Sequence, residues 1–271
     1  MIYEKIRLDE NDENVFLETY VPDDIYGRIK DSILVIPGGG YEVVCSDREG
    51  EPVALAFAAK GFNAFVLHYS VKEKAVFPKP LIEASKAMKY IKDNAERFYA
   101  DADRVFVTGG SAGGHLCASL GTLWHMKEIY EATDMPYGYN KPKAVIPVYP
   151  VISGVVRGAH LGSFYNILGT ENPTVEQLEK YSLENCVDER TVPMFLVHTV
   201  PDTVVSVYNS LAMAQALTDN GISYELHIYP EGCHGVALAN EITSCGNSEM
   251  DIPYAAKWID EAARWIKNIN R

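Results

Sequence analysis

The feature that most limits how this chain can fold is its alternation of short β-rich runs with helical periods. Val15–Tyr20 and Ser32–Ile36 read as strands, the second a continuous apolar run. Glu51–Lys60 follows as a helix, with Pro52 near its start and Gly61 just past its end. Asn63–His68 is again β-rich, and Leu81–Phe98 carries a helical stripe through Leu81, Ala84, Met88, Ile91 and Ala95. Arg104–Thr108, Ala144–Val148, Met194–His198 and Tyr224–Tyr229 read as further strands. Ala112–Met126, Val207–Asp219 and Ile252–Ile269 read as helices. Strands parted by helices imply right-handed crossovers and a mostly parallel sheet with both faces covered, an α/β fold. The first two runs have no helix between them, which predicts an antiparallel edge there. Lys127–Pro142 and Ser153–Pro193 fit the alternation poorly and are long for connections, so both are expected to contribute to a small lid. Thr174–Lys180 within the second reads as a short helix.

Without repeats, low-complexity tracts or a Pro/Gly/Ser linker, residues 1–271 are expected to form a single catalytic domain. The net charge of −13 disfavours a nucleic-acid partner, because phosphate-backbone affinity rests on cationic patches, and it also disfavours an anionic membrane surface. No run of about 18 apolar residues occurs that would span a bilayer. The N-terminal stretch Met1–Glu10 lacks the apolar segment of a secretory signal, and the five cysteines are scattered without a CxxC pair. Together these set the expectation of a cytoplasmic protein with free thiols and no metal framework.

Chemistry concentrates at four places. Gly109-Gly110-Ser111-Ala112-Gly113 fits G-x-S-x-G, with the β-run Val105–Val107 before it and a helix-compatible run after it. That strand–turn–helix setting is what lets a strained serine hold its hydroxyl out of the chain. A serine needs a base to take its proton, and the base needs an acid to orient it. In open sheets of this kind the chain order is serine, acid, histidine. Among the seven histidines, His234 sits in Glu231–Gly235 directly after a strand, where sites assemble in such sheets, and is the expected base. His227 lies within a strand, His198 ends one, and His160 falls in the second irregular stretch. Asp202 follows the strand before and is the expected acid, while Asp219 near a helix end reads as solvated surface. Upstream, Pro37-Gly38-Gly39-Gly40-Tyr41 follows a buried strand, and its glycines let the backbone approach a substrate. The amides of Gly39, Gly40 and Ala112 are the expected donors to a developing oxyanion. A simple flexible turn and a phosphate cradle are the alternatives for this loop, but neither GxGxxG nor GxxxxGK[ST] is matched.

Taken together, these segments resemble the esterase/lipase branch of the α/β-hydrolase fold related to hormone-sensitive lipase. PGGGY resembles the family's HGGG motif with Pro37 at the histidine position, and GGSAGGHL resembles the nucleophile elbow. HTVPDTVVSV resembles the acid loop with Ser206 where proline is common, and EGCHG resembles the histidine loop. Within that branch the likeness is to small bacterial acetyl and xylan esterases, from about Ile33 onward. It implies Ser111 as nucleophile, His234 as general base then acid, Asp202 as its orienter, and no metal or organic cofactor. It further implies Tyr41 beside the oxyanion loop, either as a substrate-binding residue lining the acyl pocket or as a packed loop anchor. His115 would support the turn from beneath. The implied reaction is hydrolysis of short-chain acyl esters, acetyl foremost, of a small molecule such as a carbohydrate; relatives of this kind also leave a homodimer open. The competing readings are a serine peptidase or formamidase using the same triad, and a non-catalytic binding module on the same scaffold.

Overall fold

Ile33, Leu34, Val35 and Ile36 alternate between two faces, yet all four are buried. Ile33 and Val35 pack into one core cluster, Leu34 and Ile36 into another. Such a strand must be covered on both sides, which is why its sequence carries no polar alternation. It forms the middle of an eight-stranded sheet in the computed structural model, which describes residues 1–24 and 26–269. Ile25, Asn270 and Arg271, which the single-domain expectation includes, lie outside the described residues.

The strands are β1 (Lys5–Arg7), β2 (Phe16–Tyr20), β3 (Lys30–Ile36), β4 (Asn63–His68), β5 (Ala100–Gly110), β6 (Val145–Val148), β7 (Met194–Thr199) and β8 (Tyr224–Tyr229). Their order across the sheet is β1-β2-β4-β3-β5-β6-β7-β8. All pairs are parallel except β1 with β2 and β2 with β4. The expected antiparallel edge therefore exists, but β2 pairs with β4 rather than with β3. The edge is completed by β1, a three-residue strand too short to leave a pattern in the sequence. Helices α1 (Glu51–Ala58) and α8 (Trp258–Asn268) cover one face. Helices α2 (Lys79–Asp93), α3 (Ser111–Leu123) and α7 (Tyr208–Asp219) cover the other. The closing helix starts six residues later than its periodicity predicts. Ile252 donates its amide to Ala239 instead, tying the preceding segment to the loop that bears His234.

The two irregular stretches part company. Residues 127–142 contain α4 (Lys127–Glu131) and leave the far end of α3, returning to the start of β6. The Lys143 amide donates to the Val105 carbonyl in the middle of β5, five residues before the strand's carboxyl end. This connection thus lies at the end of the sheet opposite Ser111, and the expectation that it forms part of a lid is corrected. Residues 153–193 leave the carboxyl end of β6 and carry α5 (Leu161–Leu168) and α6 (Val175–Lys180), the latter started by a Thr174–Gln177 capping box. Only this stretch stands on the side of the motif loops. Among the described residues no helix is long and apolar enough to cross a membrane.

Strand order reverses at β3: α1 carries the chain to β4 on one side, and α2 carries it to β5 on the other. The carboxyl ends of β3 and β5 therefore bound a crevice at a topological switch point. There the PGGGY loop leaves β3 and the Ser111 turn leaves β5. Contact between them is made possible by Gly113, where an added Cβ would lie 2.1 Å from the Ile36 carbonyl oxygen and 2.5 Å from that of Pro37. Gly113→Ala must push α3 away from β3. We expect it to cost about 1–3 kcal/mol and to lower the melting temperature by roughly 2–12 °C. An unchanged thermal melt would show that the helix can withdraw freely.

Candidate active site

Ser111 follows directly on the last residue of β5. Its φ is 53°, in the left-handed region that non-glycine residues rarely adopt, and α3 begins at the same residue. That strain projects the hydroxyl sideways while the first-turn amides of α3 remain without intrahelical acceptors. Ser111 Oγ lies 2.8 Å from His234 Nε2, and His234 Nδ1 donates to Asp202 Oδ2 at 2.7 Å. The structure therefore brings together the three residues that sequence spacing singles out. The Ser111 hydroxyl donates to Nε2, and the carboxylate at Nδ1 fixes the tautomer this requires.

Asp202 is fully buried at its side chain, held by the loop that follows β7. Burial pushes its carboxyl pKa up, but hydrogen bonds from His198 and His234, the charge of His234 and the Val205 amide outweigh it. The carboxyl is thereby held well below the usual carboxylate range. The Val204 and Val205 amides donate to Oδ1 at 3.0 and 2.9 Å. His198 Nε2 donates to the Val205 carbonyl at 2.9 Å and lies 3.5 Å from Asp202 Oδ2, while Ser210 Oγ donates to its Nδ1 at 2.8 Å. His198 is thus a buried brace for the acid. The His234 ring is braced in turn by Tyr149, set edge-on at 5.2 Å between centroids, whose hydroxyl accepts the Ala237 amide.

The glycine loop is held from several sides. Glu49 Oε2 accepts the Gly38 amide at 2.8 Å, Tyr69 donates to the Pro37 carbonyl, and Asn166 Nδ2 donates to the Gly40 carbonyl at 2.9 Å. Gly39 stands at φ 126°, and a Cβ there would meet the Val43 carbonyl oxygen at 2.2 Å. Among the described residues the amides of Gly39 and Gly40 have no protein acceptor. Both glycines line a cleft of about 430 Å³ together with Ser111 and His234.

Tyr41 departs from the substrate-lining expectation. It is 0% exposed and donates its hydroxyl to His115 Nδ1 at 2.9 Å, while His115 Nε2 donates to the Tyr181 carbonyl at 3.3 Å. The substrate-binding expectation for Tyr41 is corrected to that of a loop anchor: its ring is packed beneath the glycine loop, out of reach of the cleft. His115 supports the turn as expected. Burial lowers its pKa to about 4, so it stays neutral inside.

Three cleft residues escaped the sequence reading. His160 caps α5 and lines the cleft, and its only mark in the sequence is Ser163 three residues on, a cap partner. Arg48 and Glu49 belong to a π-turn, Ser46–Gly50, directly before α1. Arg48 lies 3.5 Å from Glu49 Oε1 and its buried Nε has no hydrogen-bond partner among the described residues. Neither residue stands in a motif, and only the folded turn brings them to the cleft.

An eight-stranded, mostly parallel sheet carrying a serine elbow, an acid loop and a histidine loop at its carboxyl edge places this chain among the α/β hydrolases. A family model described as BD-FAE matches residues 17–217, and the chain belongs to that family, within the esterases of this fold. It is 38% identical over 219 residues to endo-1,4-beta-xylanase B of Butyrivibrio fibrisolvens, covering 78% of this chain and 33% of that protein. It is 26% identical over 255 residues to acetylxylan esterase of Xylanibacter ruminicola, covering 92% and 47%. The chain thus spans between a third and a half of the length of these curated relatives. The crystal structure of an acetyl ester-xyloside bifunctional hydrolase from Caldicellulosiruptor lactoaceticus superposes with a TM-score of 0.82 at 34% identity, covering 98% of this chain and 96% of that one. By this kinship the domain is classed with the carboxylic ester hydrolases.

The buried neutral His115 carries a pH signature. Its folded pKa of about 4 lies below the ordinary value of 6.5, so between the two the unfolded chain binds the extra proton. Its contribution to stability is complete above about pH 6.5 and falls as the pH drops towards 4, by up to about 3 kcal/mol. We expect the denaturant midpoint to drop between pH 7 and pH 5, and His115→Gln to flatten that drop. Parallel profiles for the two proteins would assign the acid sensitivity to another group.

Proposed function

We propose that this chain is a single catalytic domain, a serine carboxylesterase that removes short acyl groups, acetyl foremost, from the hydroxyls of a small neutral carbohydrate. The observation that carries the reading is the continuous hydrogen-bonded line Asp202–His234–Ser111 beside unengaged loop amides. Ser111 Oγ attacks the ester carbonyl carbon as His234 Nε2 takes its proton. Asp202 holds the ring and stabilises the imidazolium that forms. Negative charge gathers on the former carbonyl oxygen, where the N–H groups of Gly39, Gly40 and Ala112 donate to it. Each such donor contributes about 2.7–4 kcal/mol to the barrier reduction by analogy with single-donor removals. His234 then gives its proton to the departing alcohol, leaving an acyl group on Ser111. Water, deprotonated by the same nitrogen, releases the acid.

The acetyl and carbohydrate parts of this proposal rest on the similarity to the acetylxylan esterase and to the acetyl ester-xyloside hydrolase. The net charge of −13 agrees with an uncharged substrate.

Labelling and kinetics test it. A fluorophosphonate probe should label the wild type and leave Ser111→Ala unlabelled, and the same variant should lose hydrolysis of p-nitrophenyl acetate. Asp202→Asn should keep the fold while lowering kcat by roughly 10⁴, because the wrong tautomer of His234 then faces the serine. Faster turnover of aminoacyl-naphthylamides than of acyl esters would favour the amidase reading, and an unlabelled wild type would favour a binding module.

A further inference from the structure

We propose that His160 binds the alcohol half of the ester, its Nε2–H donating to a free hydroxyl next to the scissile acyl group. This rests on the esterase reading above and adds the recognition of a polyhydroxylated alcohol, such as a sugar with unmodified neighbours. The argument begins at the other ring nitrogen. His160 is the N-cap of α5, and its Nδ1 accepts the Ser163 amide at 3.3 Å. A backbone N–H can only donate, so Nδ1 must present its lone pair. Ser163 Oγ, 2.9 Å from the same nitrogen, can donate to it as well. In the neutral ring the proton then resides on Nε2. Burial, and after it the charge of His234, lower the pKa of His160, so the neutral form prevails at pH 7.

Position completes the case. The ring lines the same cleft as Ser111, Gly39, Gly40 and His234. Its Cε1 lies 3.7 Å from where a Cβ on Gly40 would stand, so it covers the Cα side of the oxyanion loop, apart from the loop's amide hydrogens. Among the described residues Nε2 has no protein partner. A fixed donor that no protein group uses, in the wall of the cleft that holds the serine, is available to the part of the substrate beyond the ester oxygen. The neighbouring wall carries Glu42, whose carboxylate lies 3.8 Å from Lys72 Nζ and accepts from a hydroxyl. Arg48, which also lines the cleft, already faces Glu49 at 3.5 Å. A hydroxyl, which both accepts from His160 and donates to a carboxylate, meets these requirements better than a carboxylate does.

The test compares kcat/KM for two acetates: p-nitrophenyl acetate, whose leaving group has no hydroxyl besides the ester oxygen, and a monoacetylated methyl xyloside with free neighbouring hydroxyls. The quantity read is the ratio of the second to the first in wild type, His160→Ala and His160→Gln. We expect the ratio to fall at least tenfold in His160→Ala, chiefly through KM for the sugar ester, and to recover in part in His160→Gln, whose amide restores a donor. Fully acetylated methyl xyloside, which has no free hydroxyl, should show no such change in ratio. If His160→Ala does not fold, His160→Phe removes the donor while keeping a ring, and the same fall is expected. An unchanged ratio in the soluble variants would overturn the assignment, as would an equal fall for the fully acetylated sugar. Wild type active on p-nitrophenyl acetate but with no activity on the monoacetate would overturn it too, while leaving the esterase reading standing. Inactivity on every ester would bring down both.

Discussion

At Gly113 the first turn of α3 runs against the carbonyls of Ile36 and Pro37 with no room for a side chain, and the cleft depends on that contact. A topological switch point makes the loops after β3 and β5 neighbours, but it does not make them touch. The missing Cβ does, by letting the helix that starts at Ser111 settle against the strand that feeds the glycine loop. The strained φ of Ser111 persists because its surroundings leave no alternative: β5 lies between two parallel strands, and α3 is buried along nearly its whole length. Packing on both faces of the sheet thus supports a local conformation that the turn alone would abandon.

The hydrogen bonds of the histidines show how a shared residue type is sorted by environment. His234 accepts from Ser111 at the cleft with one nitrogen and donates to Asp202 with the other. His198 and His115 are buried, with both nitrogens engaged. Among the described residues His160 has one nitrogen engaged and one without a partner. Because imidazole must use its two nitrogens differently when neutral, the partner on one side dictates what the other side can do. The acid loop uses the same logic in reverse. Asp202 draws amides and histidines to both oxygens, so the carboxylate stays charged in a buried place where burial alone would neutralise it.

Much of this was legible in the sequence, and the exceptions share a cause. The continuous apolar run of β3, the helical stripe of α2 and the glycines around Ser111 report burial and turn geometry directly, and the structure follows them within a few residues. Ser111, Asp202 and His234 could be picked out because each stands at a strand end, a position that periodicity locates. What periodicity cannot locate is which segments meet. The pairing of β2 with β4 depends on a crossover, and the position of residues 127–142 at the far end of the sheet depends on the direction of α3. Tyr41 reads equally well as pocket wall or anchor until the packing of His115 decides. Arg48, Glu49 and His160 reach the cleft from local turns with no repeating pattern, so nothing in their neighbourhoods distinguishes them from surface polar residues.

Helix α5 performs two tasks with adjacent turns. Its cap residue forms a wall of the cleft, and Asn166 in its second turn holds the Gly40 carbonyl. His160, the proposed contact to the alcohol, and the tether of Gly40, a proposed oxyanion donor, are therefore mounted on one helix. A substitution that swings α5 outward to admit a bulkier alcohol would drag Gly40 with it and misalign the amides. On the proposed roles, breadth of substrate and speed of reaction are linked through a single side-chain amide, so widening one without loss of the other would first require a different tether for the loop.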